Sequence, residues 1–285
     1  MAKNSLNQRI FTLNCNGRIL VIGKPVVMGI LNITPDSFYG GSRFNDMLSI
    51  HQEFEKMLHE GAAIIDIGGQ STRPGSKRVS VEEELSRVVP VIQSLAQKFP
   101  EAIISIDTFY SRVAAASVTA GASIVNDVSF GSQDKEMLPV VAGLHVPYVC
   151  MHAQGNPETM QNRPTYENVT REVLDFFIDK TNACHVAGIK DIIIDPGFGF
   201  GKTIEHNLEL LRNLAVFKML DKPILLGISR KSTIYKTLDT TPDKALNGTT
   251  VLHTIGLLNG AAILRVHDVR EAKEAILMVE AYNNS

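Results

Sequence analysis

Residues Ala62–Gly68 read AAIIDIG, a short apolar, β-branched run broken by one carboxylate. A strand with one face in water alternates apolar and polar residues. A run that is apolar at nearly every position belongs to a strand covered on both faces. The pattern recurs along the chain. It precedes Ala62 once, as Val26–Asn32 (VVMGILN). It follows as Ala102–Thr108 (AIISIDT), Ser123–Val128 (SIVNDV), Pro147–His152 (PYVCMH), Asp191–Gly197 (DIIIDPG), Pro223–Ser229 (PILLGIS) and Ala261–His267 (AAILRVH), making eight strands.

Helical patterns fill the intervals. Val81–Phe99 places Val81, Leu85, Val88, Val89, Ile92 and Leu95 at close to a 3.6-residue period. Ser80 and Glu83 open it at capping-box spacing, and Pro90 is expected to kink or interrupt it. Asp46–His59, Glu167–Val186, His206–Met219, Asp243–Leu258 and Val269–Tyr282 read the same way, the last opened by Asp268 and Glu271. Gly61, Gly121, Gly188 and Gly260 stand where left-handed C-caps belong.

Strands alternating with helices imply parallel β/α units, and eight such units close naturally into a (β/α)8 TIM barrel. The rival is an open doubly wound sheet. It would want a glycine-rich fingerprint after the first strand, where ITPDSF stands instead. Residues Ile10–Ile22 carry Asn16-Gly17 between two short strands, a strong hairpin signal. The expected organisation is an N-terminal β-hairpin extension over residues 1–24, covering the N-terminal mouth of a single α/β barrel over residues 25–285.

Composition excludes several classes. The 28 basic and 30 acidic residues sum to −2, against a broad nucleic-acid or membrane footprint. Cys15, Cys150 and Cys184 form no C-x-x-C pair, so neither a disulfide framework nor a zinc site is expected and a reducing compartment fits better. The opening MAKNSLNQRIF has no apolar leader, and no apolar run approaches the roughly 20 residues of a membrane span. A cytoplasmic protein is expected.

Barrel enzymes place their chemistry at the C-terminal ends of strands and in the loops that follow. Those positions hold Asn32 and the loop Thr34–Phe38, Asp66 and the loop Gln70–Ser76, Asp107, Asn126-Asp127 and His152. They continue with Asp195 and the loop Pro196–Lys202, then Ser229-Arg230-Lys231, Arg265 and His267. A single Asp there usually caps a helix, but polar groups at nearly every strand end point to use. Asp107, Asp195 and Asn126 suit a flat, nitrogen-rich ring. Arg73, Arg230, Lys231, Arg265 and His267 suit a phosphate or carboxylate. The expected pocket is bipolar, an acidic floor under a basic rim.

Other motifs are weaker. Pro196–Thr203 (PGFGFGKT) misses a phosphate-loop pattern by its first residue and follows Asp195, which would repel phosphate. The milder reading is a mobile glycine loop that offers Phe198 and Phe200 as aromatic faces. His51, His59, His185, His206 and His253 read as surface or partner-capped helix residues, and Cys150 as a core thiol. No H-E-x-x-H or G-x-S-x-G motif is present.

Taken in register, the motifs resemble dihydropteroate synthase. They are VVMGILNITPDSFYGGSRF (Val26–Phe44), IIDIGGQSTRPGS (Ile64–Ser76), SIDTF (Ser105–Phe109), IVNDV (Ile124–Val128), MHAQGNPETMQ (Met151–Gln161), IIDPGFGFGK (Ile193–Lys202), GISRKS (Gly227–Ser232) and ILRVHDV (Ile263–Val269). The resemblance implies a barrel transferase of folate biosynthesis. Such an enzyme joins 6-hydroxymethyl-7,8-dihydropterin diphosphate to p-aminobenzoate, releases pyrophosphate and needs magnesium. It implies that Asp107, Asn126, Asp195 and Lys231 hold the pterin. Asn32, Arg73, Arg265 and His267 would hold the diphosphate, Asn32 also the Mg2+. Thr72, Arg73, Pro74, Phe200 and Ser232 would surround p-aminobenzoate, the site that sulfonamides occupy in the family. The first two loops are expected to close over it. Asp107, Lys231, Arg265 and His267 are the expected catalytic set, with Asp107 facing a methylene carbocation if diphosphate departs first. A homodimer is expected, with the C-terminal helices at its contact.

Two rival readings share part of this pattern. A folate-dependent methyltransferase domain would keep Asp107, Asn126 and Asp195 but needs neither a diphosphate rim nor an STRPG loop. A silent pterin-binding paralogue should have lost Asp107, Arg73, Lys231 or Arg265, all of which are present.

Overall fold

The computed structural model describes residues 9–33, 43–70, 78–155 and 164–285. Strands β1 (Phe11–Cys15) and β2 (Arg18–Ile22) pair antiparallel with Cys15 opposite Arg18. Asn16 and Gly17 between them both have positive φ, 55° and 86°, the tight-turn geometry whose twist matches the flanking strands.

The barrel strands are β3 (Val26–Asn32), β4 (Ala62–Gly68), β5 (Ile103–Asp107), β6 (Ile124–Asp127), β7 (Tyr148–Met151), β8 (Ile192–Asp195), β9 (Leu225–Leu226) and β10 (Ile263–Val266). They form one parallel sheet in the order β8-β7-β6-β5-β4-β3-β10-β9. The two ends meet where Ile194 bridges Ile224 in parallel and its N–H donates to Pro223 O at 3.0 Å. The sheet is thus the expected (β/α)8 barrel. Around it run α1 (Arg43–His59), α2 (Val81–Lys98), α3 (Ser111–Ala120), α4 (Met137–Leu144), α5 (Val169–Ala187), α6 (Ile204–Arg212), α7 (Ser232–Thr237), α8 (Leu246–Leu258) and α9 (Val269–Asn284).

The core has two parts because successive strand residues face opposite ways. Outward residues such as Ile65, Ile67, Ile104 and Ile106 pack against Phe54, Val88, Ile92 and Phe177 of the helices. Inward residues Met28, Ile64, Ile124, Val149, Ile193, Leu225 and Ile263 form an apolar plug near the strands' N-terminal ends. Leu13, Cys15 and Ile22 of the hairpin press on that plug, so the hairpin does cover this mouth. Asn14 N–H donates to Asp191 Oδ2 at 2.8 Å and Arg18 reaches Pro100 O, tying it down. Two residues beyond the plug, the inward positions are Asp66, Asn126, Asp195 and Arg265. The barrel interior therefore turns from apolar to charged within one step of the strand period.

Local details depart from the sequence expectations. Helix α2 runs through Pro90 without a break. Pro90 is exposed, as is Ser86 one turn before it, so water can satisfy the carbonyl that the ring leaves unpaired. Ser80 caps α2 as expected, accepting from Glu83 N–H. Asp268 makes no cap for α9 because its carboxylate is bound by Arg230. The helix expected at His206–Met219 starts earlier, behind a reciprocal Thr203–His206 capping box, and becomes a 3-10 helix at Leu214–Leu220. Gly61, Gly121, Gly188 and Gly260 all have positive φ near 100° or above, as helix stops require. His253 is buried with no partner at Nε2, and burial lowers its pKa to about 4.

Candidate active site

The charged layer inside the barrel is one connected network. Arg265 enters from β10 and donates from Nε to Asp66 Oδ2 at 2.7 Å and from Nη2 to Asp107 Oδ2 at 2.6 Å. Asn126 Nδ2 donates to the same Asp66 oxygen at 2.8 Å. Asp66, Asp107 and Asn126 are buried, and the second oxygens of both carboxylates lack a hydrogen-bond partner. Burial pushes the Asp107 carboxyl up, with Arg265 opposing and Asp66 reinforcing the shift. Burial also works against the Arg265 charge, but Asp66 and Asp107 outweigh it and raise its pKa. Acid and base are therefore interlocked at one level. This corrects the expectation of an acidic floor beneath a separate basic rim. A buried carboxylate pair needs a cation at hydrogen-bond distance, and among the described residues Arg265 reaches both.

Across the barrel, Asp195 Oδ1 accepts Gly197 N–H at 2.8 Å. Its pKa is raised by burial against the opposing pull of Lys231. Lys231, at the N-terminus of α7, donates from Nζ to Phe198 O at 2.6 Å and lies 4.4 Å from the centre of the Phe200 ring. Desolvation lowers the Lys231 pKa to about 8 although Asp195 opposes it. A Cβ at Gly227 would lie 3.6 Å from Asp195 Oδ2 and 3.8 Å from Lys231 Nζ, so glycine keeps open the space these groups share. Phe198 is fully buried in the outer core, which corrects the expectation that it faces a ligand. Phe200 is half-buried and keeps that role open.

The rim is more accessible. Asn32 ends β3, and its Oδ1 lies 3.4 Å from where a Gly68 Cβ would sit. Asp107 Cβ is 3.8 Å from the same point, so glycine again holds two candidate residues apart with room between them. His267 is exposed, and its Nδ1 lies 3.1 Å from Ser229 Oγ. Ser232, half-buried, opens α7 beside Lys231. Arg230 adopts φ 53° and donates to both oxygens of Asp268, at 2.8 and 2.7 Å. It is thus committed to protein, not to an anion. Asp127 is likewise structural, accepting from Ser129, Gly131 and Tyr148. Thr72, Arg73 and Pro74, with the loop Thr34–Phe38, lie outside the described residues.

Two residues deserve more weight than sequence reasoning assigned them. Asp66 was visible as a strand-end carboxylate, yet its partnership with Arg265 spans 199 positions and carries no local signal. Lys202 looked like the lysine of a failed phosphate loop. It is 3% exposed and donates inward, to the carbonyls of His152, Gly197 and Phe200.

Comparison with known proteins identifies the family. Residues 28–267 match the family described as pterin binding enzyme. Dihydropteroate synthase of Escherichia coli K12 is 45% identical over 94% of this chain and 95% of its own. The crystal structure of the Yersinia pestis dihydropteroate synthase with a sulfonamide drug complex superposes with a TM-score of 0.90, at 41% identity, over 96% of this chain and all of that one. The Xanthomonas albilineans enzyme with 4-aminobenzoic acid gives 0.90 at 39% identity over 97% of this chain and 100% of its own. By the family match over residues 28–267 and the near full-length identity to these enzymes, the chain belongs to the pterin-binding enzymes, in the dihydropteroate synthase family.

Proposed function

We infer that this chain condenses 6-hydroxymethyl-7,8-dihydropterin diphosphate with p-aminobenzoate to give 7,8-dihydropteroate and pyrophosphate. The near full-length likeness to dihydropteroate synthases carries the reading. In the reaction a C–O bond to diphosphate breaks, a C–N bond to the arylamine forms, and the arylamine loses a proton.

The polar layer supports a division of labour. Asp195, Asn126 and Lys231 would read the pterin edge. Asn126 spends an amide N–H on Asp66, so its carboxamide oxygen is what it offers a ring N–H. Asp107 would face the carbon that becomes electron-poor as diphosphate leaves. Its unpartnered second oxygen supports that assignment. Arg265 and His267 would take up charge on the departing group. Phe200 and Ser232, with Thr72, Arg73 and Pro74, would hold p-aminobenzoate in line, a positioning task for a weak nucleophile.

Asn32 is a fitting magnesium ligand. Among the described residues no cluster of three His, Cys, Asp or Glu forms a cage. One hard carboxamide oxygen suits an ion whose other ligands are diphosphate oxygens and water. When bound, magnesium would offset the charge of the leaving group. A homodimer is supported by an exposed stripe on α8, Val251, Ile255 and Leu258. A cytoplasmic location is supported by three buried free thiols. Among the described residues no helix is long and apolar enough to cross a membrane.

Pyrophosphate release with both substrates present tests the reading. Release that requires p-aminobenzoate supports it. Pterin binding without release would point to a binding protein instead.

A further inference from the structure

The expected mobile glycine loop is braced, and the brace is a side chain with no role in the proposed reaction. Lys202 Nζ lies 2.9 Å from His152 Nδ1 and donates to Gly197 O at 3.0 Å, Phe200 O at 3.1 Å and His152 O at 3.3 Å. An ammonium has three protons and no acceptor capacity, so all of them are spent inside the loop and on the end of β7. Burial lowers the Lys202 pKa to about 7 against the pull of Asp195, and in its protonated form the lysine can only donate, so Nδ1 of His152 accepts. The ring is therefore neutral, consistent with burial and the nearby Lys202 lowering its pKa to about 2. The loop sits so close to β7 that a Cβ at Gly197 would fall 1.8 Å from His152 O.

What this loop carries is the seat of Lys231. Phe198 O accepts the Lys231 ammonium, the Phe200 ring lies beneath it, and Gly199 packs against its stem, 3.2 Å from Cδ at the position of an added Cβ. Gly197 N–H meanwhile fixes Asp195 Oδ1. The loop thus touches both groups that flank the space above Gly227. Asn207 Oδ1 braces it from α6 by accepting Gly199 N–H at 2.8 Å.

We propose that Lys202 is a positioning residue for pterin recognition, holding the 197–201 loop against β7 so that Lys231 and Asp195 keep the spacing that a pterin ring needs. The proposal rests on the reading of Asp195 and Lys231 as pterin-binding residues. It predicts an effect on ring binding and none on diphosphate binding, since Asn32, Arg265 and His267 belong to β3, β10 and the turn beyond.

The probe is 6-hydroxymethylpterin, a ring without diphosphate, titrated calorimetrically into the full chain. Lys202→Met should weaken its binding about tenfold, the scale of one lost charged hydrogen bond. Inhibition by pyrophosphate should stay unchanged. In a Lys231→Met background the same substitution should have a smaller effect, the remainder passing through Asp195. If Lys202→Met does not fold, His152 decides. His152→Leu removes the acceptor and should weaken ring binding, whereas His152→Asn, with its oxygen near the old Nδ1 position, should largely restore it. Unchanged ring affinity in Lys202→Met, or equal effects of the two His152 variants, overturns the proposal. So does an equal loss of ring and pyrophosphate binding, which marks a general structural defect. If the unmodified protein fails to bind the ring at all, the pterin reading itself falls, and the two failures are told apart.

Discussion

Arg265 Nη2 donates to Asp107 Oδ2 at 2.6 Å, inside the barrel and 158 positions away in sequence. The same guanidinium holds Asp66 at 2.7 Å, so one cation serves two buried carboxylates. The arrangement is costly to assemble and more costly to break, because removing the cation leaves uncompensated charge in a buried site.

Arg265→Met should therefore lower stability by about 3–5 kcal/mol near neutral pH. The deficit should shrink in acid. Arg265 opposes the upward shift of the Asp107 pKa, so without it the folded carboxyl binds a proton more readily still. A folded acid with a raised pKa loses stability as pH rises, and the variant should show that loss more steeply than the parent. Thermal melts from pH 5 to pH 8 measure this, and parallel curves would contradict it. Asp107→Asn keeps shape and a partner for Arg265 but removes the anion. It should slow turnover by about 10²- to 10³-fold with the fold intact. A near-normal rate would sink the role given to Asp107.

The barrel was legible because its strands are apolar at nearly every position, a signal each strand carries alone. The hairpin and the four glycine stops were legible for a similar reason, since Asn16-Gly17 and Gly188 act through their own backbone. Helices α3 and α4 were not. Ser111–Ala120 is mostly Ala, Ser, Thr and Val with no charged face beyond Arg112, and Met137–Leu144 is short and holds Pro139 and Gly143. Their helicity comes from packing on the sheet, which no window of sequence contains. At the site, residue types and strand-end placement could be read, but pairing could not. Arg230 and Arg265 look alike in sequence. One binds Asp268 at the rim and the other binds Asp66 and Asp107 inside, because Arg230 lies in the turn before α7 while Arg265 is an inward position of β10.

The Arg230–Asp268 pair links the turn before α7 to the turn before α9, the two turns that carry Lys231 and His267. Arg230 also donates to the carbonyls of Pro242 and Asp243. Arg230→Gly preserves the left-handed turn, which φ 53° favours, and removes only the side chain. A partly exposed bidentate pair of this kind should contribute about 1–2 kcal/mol. The variant should also raise KM for the dihydropterin diphosphate, since the residues on both turns lose their mutual register. Asp268→Asn should reproduce the KM effect in weaker form. An Arg230→Gly enzyme that is less stable but unchanged in KM would reduce the pair to a stabilising contact.

Glu84 is fully buried on α2, and its Oε2 accepts from Gln70 Nε2 at 2.8 Å. Burial pushes its pKa from 4.5 to about 8, reinforced by Asp107 and opposed by a bond from Thr108. Between those two values the folded chain holds a proton that the unfolded chain has released. Stability must then fall as pH rises through the window, because raising the pH favours the state that binds fewer protons. Glu84→Gln is neutral at every pH and can still accept from Gln70 through its amide oxygen. It should match the parent near pH 4 and exceed it by at least about 1 kcal/mol above pH 8. Denaturant titrations at the two ends of the window measure the difference. Equal pH slopes for the two proteins would mean that Glu84 is ionised in the fold, with Arg87 and the Thr108 bond outweighing its burial.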